Sequence, residues 1–363
     1  MSLETIDLEN VKKEIKKATK YEFPKIEKLR AIVRNFSINE LNYRQCHAIA
    51  PVATDGGENK LYFEPISIDI IRVVDSEGKE HVQKVIPISA DYEVYKNLFN
   101  ETPILKKFLD RLSISYDDVS YMLPNNDDKD VEESKVAQYV GVFREILEWA
   151  VLLEMAWNPG PSKILLMRDG LLRTAKFKSN TVSKLADSFE NAYKEKNSML
   201  IGVAKHSKVL NYLSLALNIE ETFMNDYPCF CEVPLEVEKS SYPWYNNWIS
   251  NKRIFGKMHL VKFSPKPDGV VFPVDIPPWL MGKRKEVLEY AAETAKTSFP
   301  LIGYPYPLIK AHENAMLGGL EMEMLYDYLI KAVLEEYDGK KIEKILAYIT
   351  LGKTLSKGGG NYE

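Results

Sequence analysis

Ile164-Leu-Leu-Met-Arg-Asp169-Gly-Leu-Leu172 decides how this chain of 363 residues is read. An unbroken apolar run of this kind predicts a strand buried on both faces, as central strands under helical cover are. The run closes on an aspartate followed by glycine. That end of a strand is where open α/β sheets gather ligands, although an aspartate there also serves turns by accepting backbone N–H bonds. His47-Ala-Ile-Ala-Pro-Val-Ala-Thr-Asp55-Gly-Gly57 repeats the form: an apolar strand, an aspartate, then glycine. Gly56-Gly57 is in addition a hairpin signal.

Working outward, the strand over 46–54 is followed by extended segments at Lys60–Glu64, Ile66–Val74 and His81–Ile88, three strands read as antiparallel. Residues 4–36 have helical spacing (Leu8, Val11, Ile15, Ile26, Leu29, Ile32, Val33), with Pro24 marking a break. Short helices are predicted over 92–120 and a long one over 131–157, stopped by Pro159-Gly160-Pro161. The strand 163–168, a helix over 181–196 and a strand over 199–204 come next. Paired strands at 254–263 and 270–276, a helix at 283–297, and helices at 308–336 and 341–355 complete the reading. The tail Gly358–Glu363 is expected to be disordered. Together these predict one α/β domain with a mixed central sheet and a helical N- and C-terminal periphery. The expected boundaries are a helical region 1–45, a main domain 46–335 with an insertion at about 207–300, and a C-terminal helix and tail at 336–363.

Composition narrows the classes. With 45% hydrophobic and 28% charged residues, the chain matches an ordinary globular protein. No apolar stretch reaches the roughly eighteen residues of a membrane span, and Met1-Ser-Leu-Glu-Thr begins no secretory signal, so a cytoplasmic protein is expected. A net charge of −4 argues against binding nucleic acid by bulk charge and leaves room for a local basic channel. Cys46, Cys229 and Cys231 lack zinc spacing and read as buried small side chains. Gly352-Lys353-Thr354 imitates the end of a phosphate loop, but Ala347 stands where the earlier glycine is required.

Four side chains are candidates for metal chemistry: Asp55, Glu154, Asp169 and His312. On the 131–157 helix, Val136, Val140, Phe143, Leu147 and Val151 define an apolar stripe, and Glu154 falls roughly 20° from Leu147 and Phe143. Glu145 and Glu148 fall away from it and read as solvated charges. An inward carboxylate needs a cation: a metal, or a Lys or Arg in a buried salt bridge. His312 follows Gly303-Tyr-Pro-Tyr-Pro307 in the opening turns of a helix, where the dipole favours the neutral ring that a metal needs; a structural histidine is the alternative. His47, His81, His206 and His259 are read as structural. Lys205, at the end of the 200–204 strand, could meet phosphate with Arg168, Arg173, Lys176 and Lys178, or all could be surface charges. Tyr304 and Tyr306 could stack on bases or orient a phosphate, or simply pack. Carboxylates from two strand ends and a helix, with a late imidazole, suit a divalent-metal phosphodiesterase.

Four blocks carry a family resemblance: Thr54-Asp-Gly-Gly57, Leu165-Leu-Met-Arg-Asp-Gly-Leu-Leu172, Gly202-Val-Ala-Lys-His-Ser-Lys208 and Gly303-Tyr-Pro-Tyr-Pro-Leu-Ile-Lys-Ala-His-Glu-Asn-Ala315. The sequence resembles the NurA nucleases of prokaryotic DNA end processing, which work with the HerA ATPase. The resemblance implies a ribonuclease H-like core, with ligands in the order strand Asp, helix Glu, strand Asp, late His, met here by Asp55, Glu154, Asp169 and His312. It matches Tyr304 to the family's active-site tyrosine. It further implies a two-ion site; nitrogen ligation by His312 fits Mn²⁺, with Mg²⁺ as the alternative. Single-strand endonuclease and 5′→3′ exonuclease activity on single- and double-stranded DNA ends would follow, from a homodimer whose active sites line a central channel. A HerA-type hexameric ATPase would dock there. The C-terminal helix with Ile345, Leu346, Ile349 and Leu351 is a candidate docking surface, or packs on its own core. The rival class is a non-catalytic DNA-binding adaptor for such an ATPase.

Overall fold

The computed structural model describes residues 8–44, 49–63, 66–87, 89–126, 133–241 and 255–336. Strands β1 (Asn39–Glu40), β2 (Ile49–Phe63), β3 (Ile66–Asp75), β4 (Glu80–Pro87), β5 (Lys163–Asp169), β6 (Met199–Val203), β7 (Cys229–Glu232), β8 (Lys257–Lys262) and β9 (Val271–Ile276) form one mixed sheet. Their order is β1-β7-β8-β9-β6-β5-β2-β3-β4. The pairings β2–β5 and β5–β6 are parallel, and the others are antiparallel.

The apolar run Ile164–Met167 lies in β5, beside the sheet's central strand β6, and its period-two alternation feeds two cores. Ile164 and Leu166 join Val52 on one face; Leu165 and Met167 join Ala53 on the other. The first face is covered by α2 (Tyr92–Glu101), α3 (Pro103–Leu112), α4 (Tyr116–Val119), α5 (Glu133–Trp157) and α6 (Ser179–Lys196). The second is covered by the helices Arg284–Ala295 and Tyr306–Ala315. A further core lies under α1 (Leu8–Val33), α7 (Lys208–Ile219) and α8 (Leu235–Ser241), where Leu29 and Val33 meet Val209, Leu213 and the buried thiols Cys229 and Cys231. Residues 207–300 thus contribute β7, β8 and β9 to the same sheet, β9 pairing with β6 at Gly202–Asp275 and Val203–Val274.

Three local expectations change. β2 does not turn at Gly56-Gly57. Its first half pairs with β5 as far as Thr54–Arg168, and it continues antiparallel to β3 until Phe63–Ile66. The two glycines serve close approach instead. A Cβ on Gly56 would lie 2.5 Å from Oε1 of Glu148, on α5, and a Cβ on Gly57 would lie 2.0 Å from the carbonyl oxygen of Ala315 on the opposite face. α1 runs through Pro24 without a break; the freed carbonyl, four residues back at Lys20, is on an exposed stretch open to water. The expected helix 308–336 is two helices, Tyr306–Ala315 and Gly319–Glu335. At the joint, the carbonyls of Asn314 and Met316 accept from Arg72, and the Gly318 N–H donates to Glu321. Cys46, His47, the expected helix 341–355 with Ile345–Leu351, and the tail from Gly358 lie outside the described residues.

Candidate metal centre

The parallel pairing of β2 with β5 ends at Thr54–Arg168, so the next residue on each strand, Asp55 and Asp169, stands at the carboxyl edge of the parallel segment. There β2 and β5 part, leaving a gap that polar side chains can enter, while Asp55 stays paired with Val74 and Asp169 with Val203. The helix Tyr306–Ala315 crosses this edge and delivers His312. Nδ1 of His312 lies 2.7 Å from Oδ2 of Asp55. Potential ligand atoms of Asp55, Asp169 and His312 all lie within 4.8 Å of one another. Lys205, two residues beyond β6, donates to Oδ2 of Asp169 at 3.4 Å. Tyr304 is fully buried and donates its hydroxyl to Oδ1 of Asp169 at 3.2 Å. Burial, and then the Asp169 carboxylate, push the Tyr304 phenol above its ordinary range, so it stays a donor. The Lys205 ammonium also lies over the Tyr304 ring, 5.5 Å from its centroid.

Glu154 is not at this edge, and the expectation for it is corrected. It pairs with Lys107 at 2.6 Å and with Arg111 at 3.4 Å, both on α3, and its side chain is 23% exposed. The cation that the carboxylate needed is a lysine and an arginine. The apolar stripe does not fix the direction of Glu154 because α5 has no broad solvent face: Tyr139, Val142, Ile146, Trp149, Ala150 and Leu153 are buried as thoroughly as the stripe itself. A helix apolar on every side offers no moment from which to infer an inward direction.

The acidic residues of α5 that do face the sheet edge are Glu145 and Glu148, both buried. Glu148 accepts from Nη1 of Arg144 at 2.9 Å, and the same nitrogen donates to the carbonyl of Gly56 at 2.9 Å. Burial pushes Glu148 up to about 7; Arg144 and Arg168 oppose the rise, while the Asp55 and Glu145 carboxylates add to it. Burial would also raise Glu145, but Arg168 and Lys176 beside it hold it below its ordinary range. Arg168 donates to Glu145 at 3.2 Å and to the Leu171 carbonyl at 2.7 Å, with its guanidinium 4.6 Å from the Trp149 ring centroid. Arg144 was not singled out in the sequence, and Glu145 and Glu148, read there as solvated charges, are instead buried. The signal of Arg144 and Glu148 was present: four-residue spacing of opposite charges within a helix whose remaining positions are nearly all apolar.

The other basic residues grouped with Lys205 are engaged elsewhere. Arg173 is buried, bonded to Asp275 at 2.5 and 2.8 Å and to Glu238 at 2.9 Å. Lys176 pairs with Glu145 at 3.0 Å, and Lys178 donates to the Asp117 carbonyl. Tyr306 is part-exposed at the helix start, with Lys310 5.7 Å from its ring centroid.

The geometry defines an α/β protein with an acidic, imidazole-bearing cluster at the ends of parallel strands. The family model of the NurA domain matches residues 51–317, well over half of the chain, and the chain belongs to the NurA family. Among solved structures, the NurA nuclease from Sulfolobus solfataricus is similar over 93% of this chain and 99% of that chain, at 14% identity and a TM-score of 0.48. A NurA solved with manganese is similar over 88% of this chain and 98% of that one, at 11% identity and a TM-score of 0.43. A NurA bound to dAMP and manganese covers 88% and 97%, at 11% identity and a TM-score of 0.38. No curated protein sequence matches the chain at a significant level. Among the described residues, no helix is long and apolar enough to cross a membrane.

Proposed function

We propose that this chain is a metal-dependent deoxyribonuclease that hydrolyses DNA phosphodiester bonds at Asp55, Asp169 and His312. The observation that carries the reading is the convergence of their donor atoms to within 4.8 Å from positions up to 257 residues apart. Two carboxylates and an imidazole fit a divalent cation, and the nitrogen favours Mn²⁺ over an all-oxygen Mg²⁺ cage. When bound, such a cation would supply Lewis-acid polarisation of a phosphoryl oxygen and a water of lowered pKa.

The chain's own residues supply the rest. Asp55 and Asp169 offer negative oxygens from a rigid sheet edge. Tyr304 holds Asp169 in one orientation by donating to Oδ1. Lys205, part-exposed beside Oδ2 of the same carboxylate, is a counter-charge for an incoming phosphate. Glu148 stands behind Asp55 as a further carboxylate, its charge balanced by Arg144. In the hydrolysis a water oxygen bonds to phosphorus, the bond from phosphorus to one sugar oxygen breaks, and that oxygen takes up a proton.

A ribonuclease H-like core belongs to this reading. Its support is the run β6-β5-β2-β3-β4, in which an antiparallel β2-β3-β4 meander joins parallel β5 and β6, with α5 between β4 and β5 in the chain. Single-strand endonuclease and 5′→3′ exonuclease action, a two-ion site, a homodimer, a HerA-type ATPase partner, a cytoplasmic setting and a main domain at 46–335 are parts of the same proposal and rest on the family resemblance.

The test is digestion of single-stranded DNA with Mn²⁺ by the wild type, Asp55→Ala and Asp169→Ala, with circular dichroism as the folding control. Both variants should lose cleavage while folded; a folded Asp55→Ala that still cuts overturns the assignment. Calorimetric titration with Mn²⁺ separates the enzyme from a DNA-binding adaptor, which would show no site dependent on these carboxylates.

A further inference from the structure

The side chain of His312 is 51% exposed, so packing alone does not aim it at Asp55. Its position must come from how the helix that carries it is docked. The carbonyl end of that helix is held at one place on the sheet, the directly paired residues Gly57 of β2 and Arg72 of β3. Gly57 has no side chain, and the Ala315 carbonyl lies where its Cβ would be. Arg72 donates from Nη2 to the Asn314 carbonyl at 2.7 Å and to the Met316 carbonyl at 3.0 Å. Its Nη1 donates to Glu321 at 3.1 Å, on the helix that follows. The Asn314 side chain adds a bond to the Asp75 carbonyl at 3.1 Å. Carbonyls at a helix C-terminus have no intrahelical partners and carry the negative end of the helix dipole. One guanidinium nitrogen, with its two N–H donors, satisfies two of them while the other terminal nitrogen holds Glu321, so the planar group is fixed in direction as a flexible ammonium is not.

We infer that Arg72 is a positioning residue for His312: by gripping the carbonyls of Asn314 and Met316 against the Gly57 gap, it fixes the helix turn from which the imidazole reaches Asp55. The inference rests on the nuclease reading for its purpose and on these contacts for its geometry. Asp55 is two residues from Gly57 on β2, and His312 is three residues, about 4.5 Å of helix rise, from Ala315. One strand pair therefore sets both partners, and a helix freed from Arg72 would carry the imidazole away from the carboxylates.

The test uses the full chain. Mn²⁺ affinity is measured by calorimetry for the wild type, Arg72→Gln, Arg72→Lys, Glu321→Gln and Asp55→Ala, and hydrogen exchange of residues 306–315 is followed without metal. Arg72→Gln should bind Mn²⁺ at least threefold more weakly, with faster exchange confined to 306–315. Arg72→Lys should fall between it and the wild type. Glu321→Gln keeps both carbonyl bonds and should stay within twofold of the wild type. Where Arg72→Gln does not fold, Arg72→Lys carries the test on the same threefold criterion. A folded Arg72→Gln, or Arg72→Lys where the glutamine variant does not fold, with less than a threefold change overturns the inference, as does an equal loss in Glu321→Gln; a stabilising role alone would lower the unfolding temperature without changing Mn²⁺ affinity. If Asp55→Ala binds Mn²⁺ like the wild type, the nuclease reading itself fails, independently of Arg72.

Discussion

Nδ1 of His312 lies 2.7 Å from Oδ2 of Asp55 across 257 residues of sequence. A contact of that kind between a half-exposed imidazole and a carboxylate on a long strand is maintained only if strand and helix are both rigidly placed. His312→Ala should therefore remove a donor from an otherwise intact edge. We expect cleavage of single-stranded DNA with Mn²⁺ to fall by at least about 100-fold, as losing a ligand costs no less than losing its supporting partner, and EDTA should abolish wild-type cleavage. Activity within tenfold of the wild type would exclude His312 from the site.

Glu148 gives the metal-free protein a pH signature. Its folded-state pKa is raised to about 7 by burial, above the ordinary carboxyl range. The folded state then holds a proton that the unfolded state has released, so stability falls as pH rises through that interval. The contribution is fully present below about pH 4.5 and is lost by about pH 7, about 3 kcal/mol at 1.36 kcal/mol per unit. Urea unfolding of EDTA-treated protein between pH 5 and 8 should show a steeper decline for the wild type than for Glu148→Gln. Superimposable pH profiles would sink this account.

Glu154→Gln should leave Mn²⁺-dependent cleavage unchanged. Its partners Lys107 and Arg111 sit at the surface of α3, and exposed ion pairs are worth about 0–1 kcal/mol. A small shift in thermal unfolding and wild-type kinetics are the expected pair of results; a loss of activity at constant fold would return Glu154 to the site.

Tyr304 and Lys205 both contact Asp169 but should fail differently. Tyr304→Phe removes only the hydroxyl that orients Oδ1, and a fall in kcat of about 10–100-fold is expected. Lys205→Ala removes a charge for phosphate, so its effect should appear in KM and in the salt dependence of single-strand binding, whose slope should shrink by about 0.7. Kinetics at several salt concentrations distinguish the two, and a pure kcat defect for Lys205→Ala would rule out the phosphate role.

Arg173, Asp275 and Glu238 form a buried cluster that ties the chain after β5 to β9 and α8. Arg173→Met leaves two carboxylates without their cation. Breaking a buried pair in this way costs about 3–5 kcal/mol, so the variant should unfold at a much lower urea concentration. Wild-type stability would show that the cluster contributes nothing.

Much of the candidate site was legible because Asp55 and Asp169 each close an apolar run, where a charge has no packing reason to be, although Asp55 lies within β2 and only Asp169 ends its strand. His312 was legible from its place in a helix that follows a proline-rich block. The helix carboxylate was not, since α5 is apolar on nearly every side and its turn toward the sheet depends on neighbours distant in sequence. Gly56-Gly57 was misread for a related reason. Locally the pair means a turn, whereas here it is a gap in a straight strand, filled by Glu148 on one face and Ala315 on the other.

Hydrophobic period by itself determined that the segments of β3, β5, β6 and β9 are strands and that of α5 is a helix, and which side chains of Ile164–Met167 share a face, because those are properties of neighbouring residues. Only the tertiary structure decided that Glu148 and not Glu154 stands behind Asp55, and that Arg72 grips the helix bearing His312. Those contacts join elements whose relative rotation and depth follow from packing of the whole sheet, which no local pattern encodes.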